Sequence, residues 1–367
     1  MNNSRQPRFH IVKRSQISVP RAVGIRVAAI LLALLVCSLV SVLATGENPL
    51  ALFRTVVTAS FGSKRKSWIF LQNTSVLLCI SLAVTPAFKM RCWNLGAEGQ
   101  VLAGALATGA CMIKLGGKLP GWLLVIVMVA AALAAGALWA LIPAFFKARF
   151  NTNETLFTLM MNYVAAQLVS FFTVLWENPK GSFQIGVINQ DTKFGWLPQI
   201  YNKYLLVVIT AVLLTLFLYF YLGYSKHGYE IAVVGESLRT ARYIGIKVDR
   251  VILRTMLLSG ALCGIAGLLL VGAINHTFSS AIVGGQGFTA VMVSWLAKFN
   301  PLIMVLTSAL LILMDTGAGD ISTNFGLNQS FSDILTGIII FFIIGSEFFI
   351  NYRIERTSRK KEDSSHV

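Results

Sequence analysis

Long apolar runs separated by short polar breaks dominate the chain. Runs of about 20 apolar residues match the hydrocarbon core of a bilayer, where a helix satisfies its own backbone groups. The pattern predicts ten such segments, at roughly Val27–Thr45, Trp68–Phe88, Leu95–Ile113, Gly121–Pro143, Thr155–Trp176, Tyr204–Leu222, Val251–Ile274, Phe288–Ala297, Leu302–Asp315 and Ile334–Ile350. The eighth is too short to cross alone. Two segments open on glycine among polar residues, one at Asn94-Leu95-Gly96-Ala97-Glu98-Gly99-Gln100 and one at Gly284-Gly285-Gln286-Gly287. They stand third and eighth. If segments two to five and seven to ten are inverted repeats, these two correspond, and matched interruptions of this kind point to a transport path.

A polar, basic island interrupts the apolar pattern between Gly223 and Arg254. Lys226, Arg239, Arg242, Lys247, Arg250 and Arg254 stand there against Glu230, Glu236 and Asp249. A loop this basic belongs on the cytoplasmic side. Glu236, Arg239 and Arg242 recur every three residues, which predicts one charged face on a short helix over Glu236–Arg242. Gly235 precedes that helix, and Gly245 is placed to end it in a left-handed conformation. A surface helix between two spans suits docking to a soluble partner. Charge alone favours a solvated loop that only sets orientation.

Ten crossings return both termini to one side. Lys89 and Arg91, Lys147 and Arg149, the island, Lys298 and the Arg353–Lys361 tail then all fall inside, while Lys64-Arg65-Lys66 falls outside against the rule. The segment Glu177–Lys203 is the largest external one, and its aromatics suit an interface belt or a lip for a partner. The expected organisation is a basic cytoplasmic segment over 1–26, a transmembrane region over 27–350 carrying the cytoplasmic loop 223–250, and a cytoplasmic tail over 351–367.

Composition supports this. The chain is 56% hydrophobic and 13% charged, with mean hydropathy +0.71, whereas a soluble domain is about 25% charged. The expected class is an all-α integral membrane protein. The net charge of +16 fits cytoplasmic loops facing anionic lipid, and no basic motif with interleaved aromatics suggests nucleic acid. Cys37, Cys79, Cys92, Cys111 and Cys263 are scattered without CxxC spacing, so they read as small core hydrophobes. No HExxH, GxSxG or zinc pattern occurs, and Gly117-Lys118 runs into Leu119 where a phosphate-binding loop needs Ser or Thr. No cofactor is expected on this chain.

Candidate path residues follow from cost. Polar groups within the membrane are expensive and mark functional routes, which singles out Asn94, Glu98, Gln100, Asn162 and Gln286. Each also has a structural alternative. Glu98 sits at a helix start, where the dipole favours a carboxylate. Asn162, Tyr163 and Gln167 form a polar stripe suited to interhelical hydrogen bonds. Asn151 with Glu154 has capping-box spacing. Asp315 and Asp320 flank a glycine-rich turn, and Asp333 is placed to cap the last span. These acids lie at span ends, which does not support a proton- or sodium-coupled path.

Four ordered motifs resemble one family. Asn94-Leu95-Gly96-Ala97-Glu98-Gly99-Gln100 looks like the NxGxEGQ element of ABC-importer permeases for simple sugars and nucleosides. Asn151-Thr152-Asn153-Glu154 with Met161-Asn162-Tyr163 resembles their GTNE and LNY segments. Gly235-Glu236-Ser237 through Ala241-Arg242-Tyr243-Ile244-Gly245-Ile246 resembles their coupling loop, and Gly284–Phe288 through Asn300-Pro301-Leu302 their GGxGF and NPL stretch. Trp295 and Lys298 are bulkier than that last pattern. The resemblance implies a ten-helix permease half of a type II-like importer in a bacterial cell membrane. It implies contact with a separate ABC ATPase subunit, which binds the ATP, through Gly235, Glu236, Arg239, Arg242, Tyr243 and Gly245. It further implies a second permease chain of different sequence, an extracytoplasmic substrate-binding protein, and a nucleoside or simple sugar as solute. An ATP-independent secondary transporter or channel is the alternative expectation, and a membrane assembly protein a further one.

Overall fold

The computed structural model describes residues 9–14, 17–46, 49–326 and 328–356. The expected tail beyond residue 356 and the first eight residues lie outside them. The chain divides into two compact units, Met1–Ala59 with Leu313–Val367, and the uninterrupted stretch Ser60–Ile312.

The first unit is built from both ends of the chain. α1 (Val19–Thr45) begins eight residues earlier than the apolar pattern predicts, because Pro20 in its first turn needs no N–H partner and already has helical φ. α1 runs against α13 (Gln329–Asn351), where the Arg26 guanidinium pairs with the Glu347 carboxylate. β1 (Phe9–Lys13) and β2 (Tyr352–Arg356) form an antiparallel ribbon with Phe9 opposite Arg356 and Lys13 opposite Tyr352. The fold is therefore nearly all-helical, as expected, with a short two-stranded addition. The ribbon joins the approach to α1 with the exit from α13.

α2 (Pro49–Phe61) belongs mostly to this unit and was not predicted, since Arg54 breaks its apolar run. α12 (Pro301–Asn324) starts in the second unit and ends in the first. It continues helical through Asp315 and Asp320, so the turn expected between them is absent; Asp315 instead accepts a hydrogen bond from the Thr336 hydroxyl at 3.4 Å. Asp333 lies inside α13, whose N-cap is Asn328.

The second unit contains α3 (Lys64–Lys89), α4 (Ala97–Leu115), α5 (Gly121–Phe150), α6 (Glu154–Leu175), α7 (Leu205–Tyr224), α8 (Lys226–Glu236), α9 (Leu238–Tyr243), α10 (Val248–Leu269) and α11 (Gln286–Leu296). α10 widens at its end into a π-helical turn, Leu270–Asn275. Lipid tails give helices little hydrophobic reason to associate, so small residues that let backbones touch carry the packing. α4, α5 and α10 meet on such a seam. A Cβ added to Gly264 would stand 2.1 Å from the Ala132 carbonyl oxygen, and one on Gly136 2.2 Å from that of Gly260.

Eight helices among the described residues are long and apolar enough to cross a membrane: α1, α3, α5, α6, α7, α10 with its π turn, α12 and α13. α4 has 19 residues but carries Glu98, Gln100 and Lys114, and α11 has only 11. Those two account for the difference from the ten predicted segments, and they are the two that open on glycine.

Candidate functional site

The α3–α4 corner is held from inside. The Asn94 side chain is fully buried. Its Oδ1 accepts from Gly96 N at 3.0 Å and from Gln100 Nε2 at 3.0 Å. Its Nδ2 donates to Gln100 Oε1 at 3.3 Å and to Ser259 Oγ on α10 at 3.0 Å. From α6, Asn162 accepts from Gly99 N and donates to Leu95 O, each at 2.8 Å. Thr158 Oγ1 adds an acceptor for Leu95 N at 3.1 Å. These bonds satisfy backbone groups that the first turn of a helix leaves without intrahelical partners. Asn94 and Gln100 therefore face each other while Asn162 holds the backbone beside them, keeping the corner in shape.

Glu98 is used differently. Its carboxylate reaches the loop before α11, taking Gly285 N on Oε1 at 3.0 Å and Gly287 N on Oε2 at 2.8 Å. Gly284 and Gly285 adopt left-handed φ of +61° and +76°, which turns these N–H groups toward one point. Gly287 has no room for a side chain, because a Cβ there would lie 2.6 Å from Glu98 N. One carboxylate thus sits at the N-termini of both α4 and α11, where two helix dipoles favour negative charge. Between the two glycines, Gln286 has a buried Oε1 with no hydrogen-bond partner. The two glycine-interrupted entries meet at this clamp, and Gln286 is brought to Glu98.

The α5–α6 junction differs from its expected capping box. Asn151 ends α5 in the left-handed region at φ 51°, and it is Asn153 Oδ1 that caps α6 by accepting from Leu156 N at 3.2 Å. Glu154 pairs with Lys147 at 2.9 Å across the junction. Two asparagines separated by one residue divide the two cap roles, which spacing alone does not reveal.

The basic island folds as two helices. Ser225 Oγ caps α8 by accepting from Gly228 N at 2.9 Å. Ser237 then takes an extended conformation, φ −158° and ψ 118°, and its Oγ accepts from Thr240 N at 3.2 Å to start α9. This second cap separates Glu236, the last residue of α8, from Arg239 and Arg242 on α9, so the three do not share a helix face. Gly235 lies on the end of α3: a Cβ there would be 2.2 Å from the Lys89 carbonyl oxygen. On the other side Arg254 of α10 pairs with Glu230 of α8 and contacts His227 Nε2 at 3.0 Å. α9 buries Ala241 and leaves Leu238, Arg239, Arg242 and Tyr243 exposed, Tyr243 at 92%. Gly245 follows at φ +86°, the left-handed termination expected there. Behind the pair of helices lies a cavity of about 510 Å³ whose charged lining is Arg91, Lys147, Glu154, Glu236, Arg242 and Asp249.

The segment Glu177–Lys203 is a tied cap. Asn189 Nδ2 donates to Met112 O at the end of α4 at 2.9 Å, Leu197 N to Gly272 O at 2.9 Å, and Ile188 N to His276 O at 2.8 Å. The Trp196 indole stacks on the His276 ring with centroids 3.7 Å apart. Burial, and then the charge of Lys203, hold the His276 imidazole below its ordinary value. π-helical turns free carbonyls from their usual partners, and two of the cap's hydrogen bonds end on that turn and the residue after it.

Ser259, Thr158, Gly285 and Gly287 take part in these networks and were not among the residues expected from sequence. Only the Gly-Gly-Gln-Gly run carried a signal for the last two.

The profile of the family described as branched-chain amino acid transport system / permease component matches residues 68–344. The chain is similar to the glucose ABC transporter permease protein of Haloferax volcanii, at 29% identity over 91% of this chain and 90% of that one. It is 31% identical to the guanosine ABC transporter permease protein of Bacillus subtilis over 72% of this chain and 77% of that one. A nucleoside ABC transporter permease protein of Lactococcus lactis matches at 25% identity over 82% and 85% of the two chains.

Proposed function

Because the chain belongs to the branched-chain amino acid transport system / permease component family, and is a multi-pass permease of the cell membrane, we propose that it forms part of the translocation path of an ATP-driven importer for a nucleoside or simple sugar. The solute class is supported by the guanosine, nucleoside and glucose permeases among its relatives. The proposed partners are an ABC ATPase subunit that binds the ATP, a second permease chain and an extracytoplasmic substrate-binding protein.

The observation that carries the proposal is the seating of α8 and α9. Gly235 brings α8 against the backbone of α3, the Arg254–Glu230 pair ties it to α10, and Leu238, Arg239, Arg242 and Tyr243 stay exposed beyond the membrane-crossing helices. A force applied to that exposed face reaches two spans through contacts that cannot slip far. ATP-driven closure of the partner would move α8–α9 as a body, and α3 and α10 with it. α4 and α11 then carry the path, with Glu98 and Gln286 at their meeting point and Asn94, Gln100 and Asn162 behind them keeping the corner rigid. Alternating access arises when such half-crossing elements rock against the rest of the bundle.

The test is co-purification and transport. The chain, expressed with its neighbouring subunits and reconstituted in liposomes, should take up radiolabelled guanosine or glucose only with ATP. Tyr243→Ala should release the ATPase while the chain stays in the membrane. Uptake without ATP, or by the purified chain alone, would instead establish a secondary transporter or channel.

A further inference from the structure

We infer that Gln286 is the residue on this path that recognises the solute: its amide oxygen accepts a hydrogen bond from a hydroxyl or N–H of a neutral molecule, and Glu98 positions it. The inference rests on the permease function proposed above and adds the chemistry of the contact.

The clamp uses up its own charge. Both Glu98 oxygens are taken by Gly285 N and Gly287 N, so a cationic solute finds no free carboxylate there and an anionic one finds neither of those N–H groups free. Gln286 lies between the two glycines, and its Oε1 is buried without a partner. Buried acceptors are almost always paired, and one left alone calls for an explanation. The expense is tolerated in sites that must later receive a donor, because a polar site rejects analogues lacking the matching group far better than an apolar one does. The backbone around Gln286 is fixed on both sides, by Gly284 and Gly285 in left-handed conformations and by Gly287 pressed against Glu98. Its oxygen is closed to solvent in this conformation, so a solute reaches it only as α4 and α11 part during alternating access. α11 is too short to cross the membrane, so this turn falls where a discontinuous helix exposes its end to the path. Sugars and nucleosides are neutral and rich in hydroxyl donors, and match the unsatisfied acceptor at this clamp.

The experiment compares Gln286→Met and Gln286→Glu with the wild type in the reconstituted complex, using guanosine and glucose as probes. Met keeps the length and removes the acceptor. The Gln286→Met complex should unfold at the same or a higher temperature, because an apolar group replaces a buried orphan oxygen. Its kcat/KM for uptake should fall roughly three- to tenfold, the worth of one hydrogen bond. Gln286→Glu keeps an acceptor and should favour neither probe less than Met does. Glu98→Ala should cost uptake in the wild type and add little on the Gln286→Met background, since it acts through that side chain. Unchanged uptake by Gln286→Met, a fall in unfolding temperature that parallels its uptake, fully additive losses with Glu98→Ala, or transport of neither probe would each overturn the inference. The energy source is read separately: ATP-independent uptake by the wild type would end the importer reading while leaving the Gln286→Met comparison valid.

Discussion

Gly235→Ala is a small change with a large expected consequence. The new methyl would fall 2.2 Å from the Lys89 carbonyl oxygen, with Lys89 C and Met90 Cα each 3.3 Å away. Ordinary contact begins near 3.4 Å, so α8 must withdraw by roughly 1 Å along that line. The obstacle is backbone at the end of a buried helix, so the shift falls on α8. Overpacking costs about 1–3 kcal/mol when nothing yields, and here α8 lies at the edge of its unit and can yield. The complex should therefore assemble and insert normally. The loss should appear in coupling, because misplacement by about 1 Å costs well-aligned groups up to about 100-fold. We expect ATP-dependent uptake to fall about tenfold or more while ATP hydrolysis by the complex becomes insensitive to solute. Two glycines provide controls. Gly223→Ala meets nothing within 4 Å and should be silent. Gly245→Ala also has space, but its φ of +86° costs an L-residue about 1–2 kcal/mol and should weaken coupling moderately. Wild-type uptake and solute-stimulated ATP hydrolysis in Gly235→Ala would refute the seating of α8 on α3 as the route of force.

Three further outcomes are expected. Gly264→Ala places a methyl 2.1 Å from the Ala132 carbonyl oxygen in a seam with no slack; it should destabilise the fold by about 1–3 kcal/mol or more, read as a lower unfolding temperature in detergent. Asn162→Ala strands Gly99 N and Leu95 O, at about 1–3 kcal/mol for each buried group left unpaired; it should lower the yield of folded protein, with activity per folded molecule much less affected. For His276 the folded value lies below 6.5, so below that pH the unfolded state binds the proton first and the cap loses stability as pH falls through 6.5 toward the folded value. Reduced hydrogen-exchange protection over residues 185–197 on acidification, measured relative to the slower intrinsic exchange at low pH, should report this, and His276→Phe should abolish the dependence.

The apolar pattern and the motifs made the class of protein and most of its spans readable in advance, because hydrophobic length is a local property. What escaped were choices between near-equal local alternatives. Ser237 can continue a helix or cap a new one, and its hydroxyl on Thr240 N decided for a cap, moving Glu236 off the face of Arg239 and Arg242. Asn151 and Asn153 compete for one junction, and the earlier one closed α5 while the later one opened α6. Arg54 hid α2 by breaking its run. Among the path candidates, residue type separated polar from apolar positions but not inward from outward ones. Asn94 and Asn162 hold backbone and Gln100 holds Asn94, a distinction that needs the long-range contacts with Ser259 and Leu95. The bond from Glu98 to the second glycine entry joins positions 187 residues apart, which no local pattern encodes.

The ribbon of β1 and β2 also sets a schedule. One compact unit is a single stretch, Ser60–Ile312, while the other needs both the first and the last parts of the chain. Chains are made N-terminus first at about 5–20 residues per second, so β1 is in place on the order of tens of seconds before β2 exists. During that interval α1 has no α13 to lie against, and the contiguous unit can assemble first. The ends therefore act as a clasp that closes only on a finished molecule. A chain broken off before α13 leaves uncovered the face of α1 that α13 would occupy.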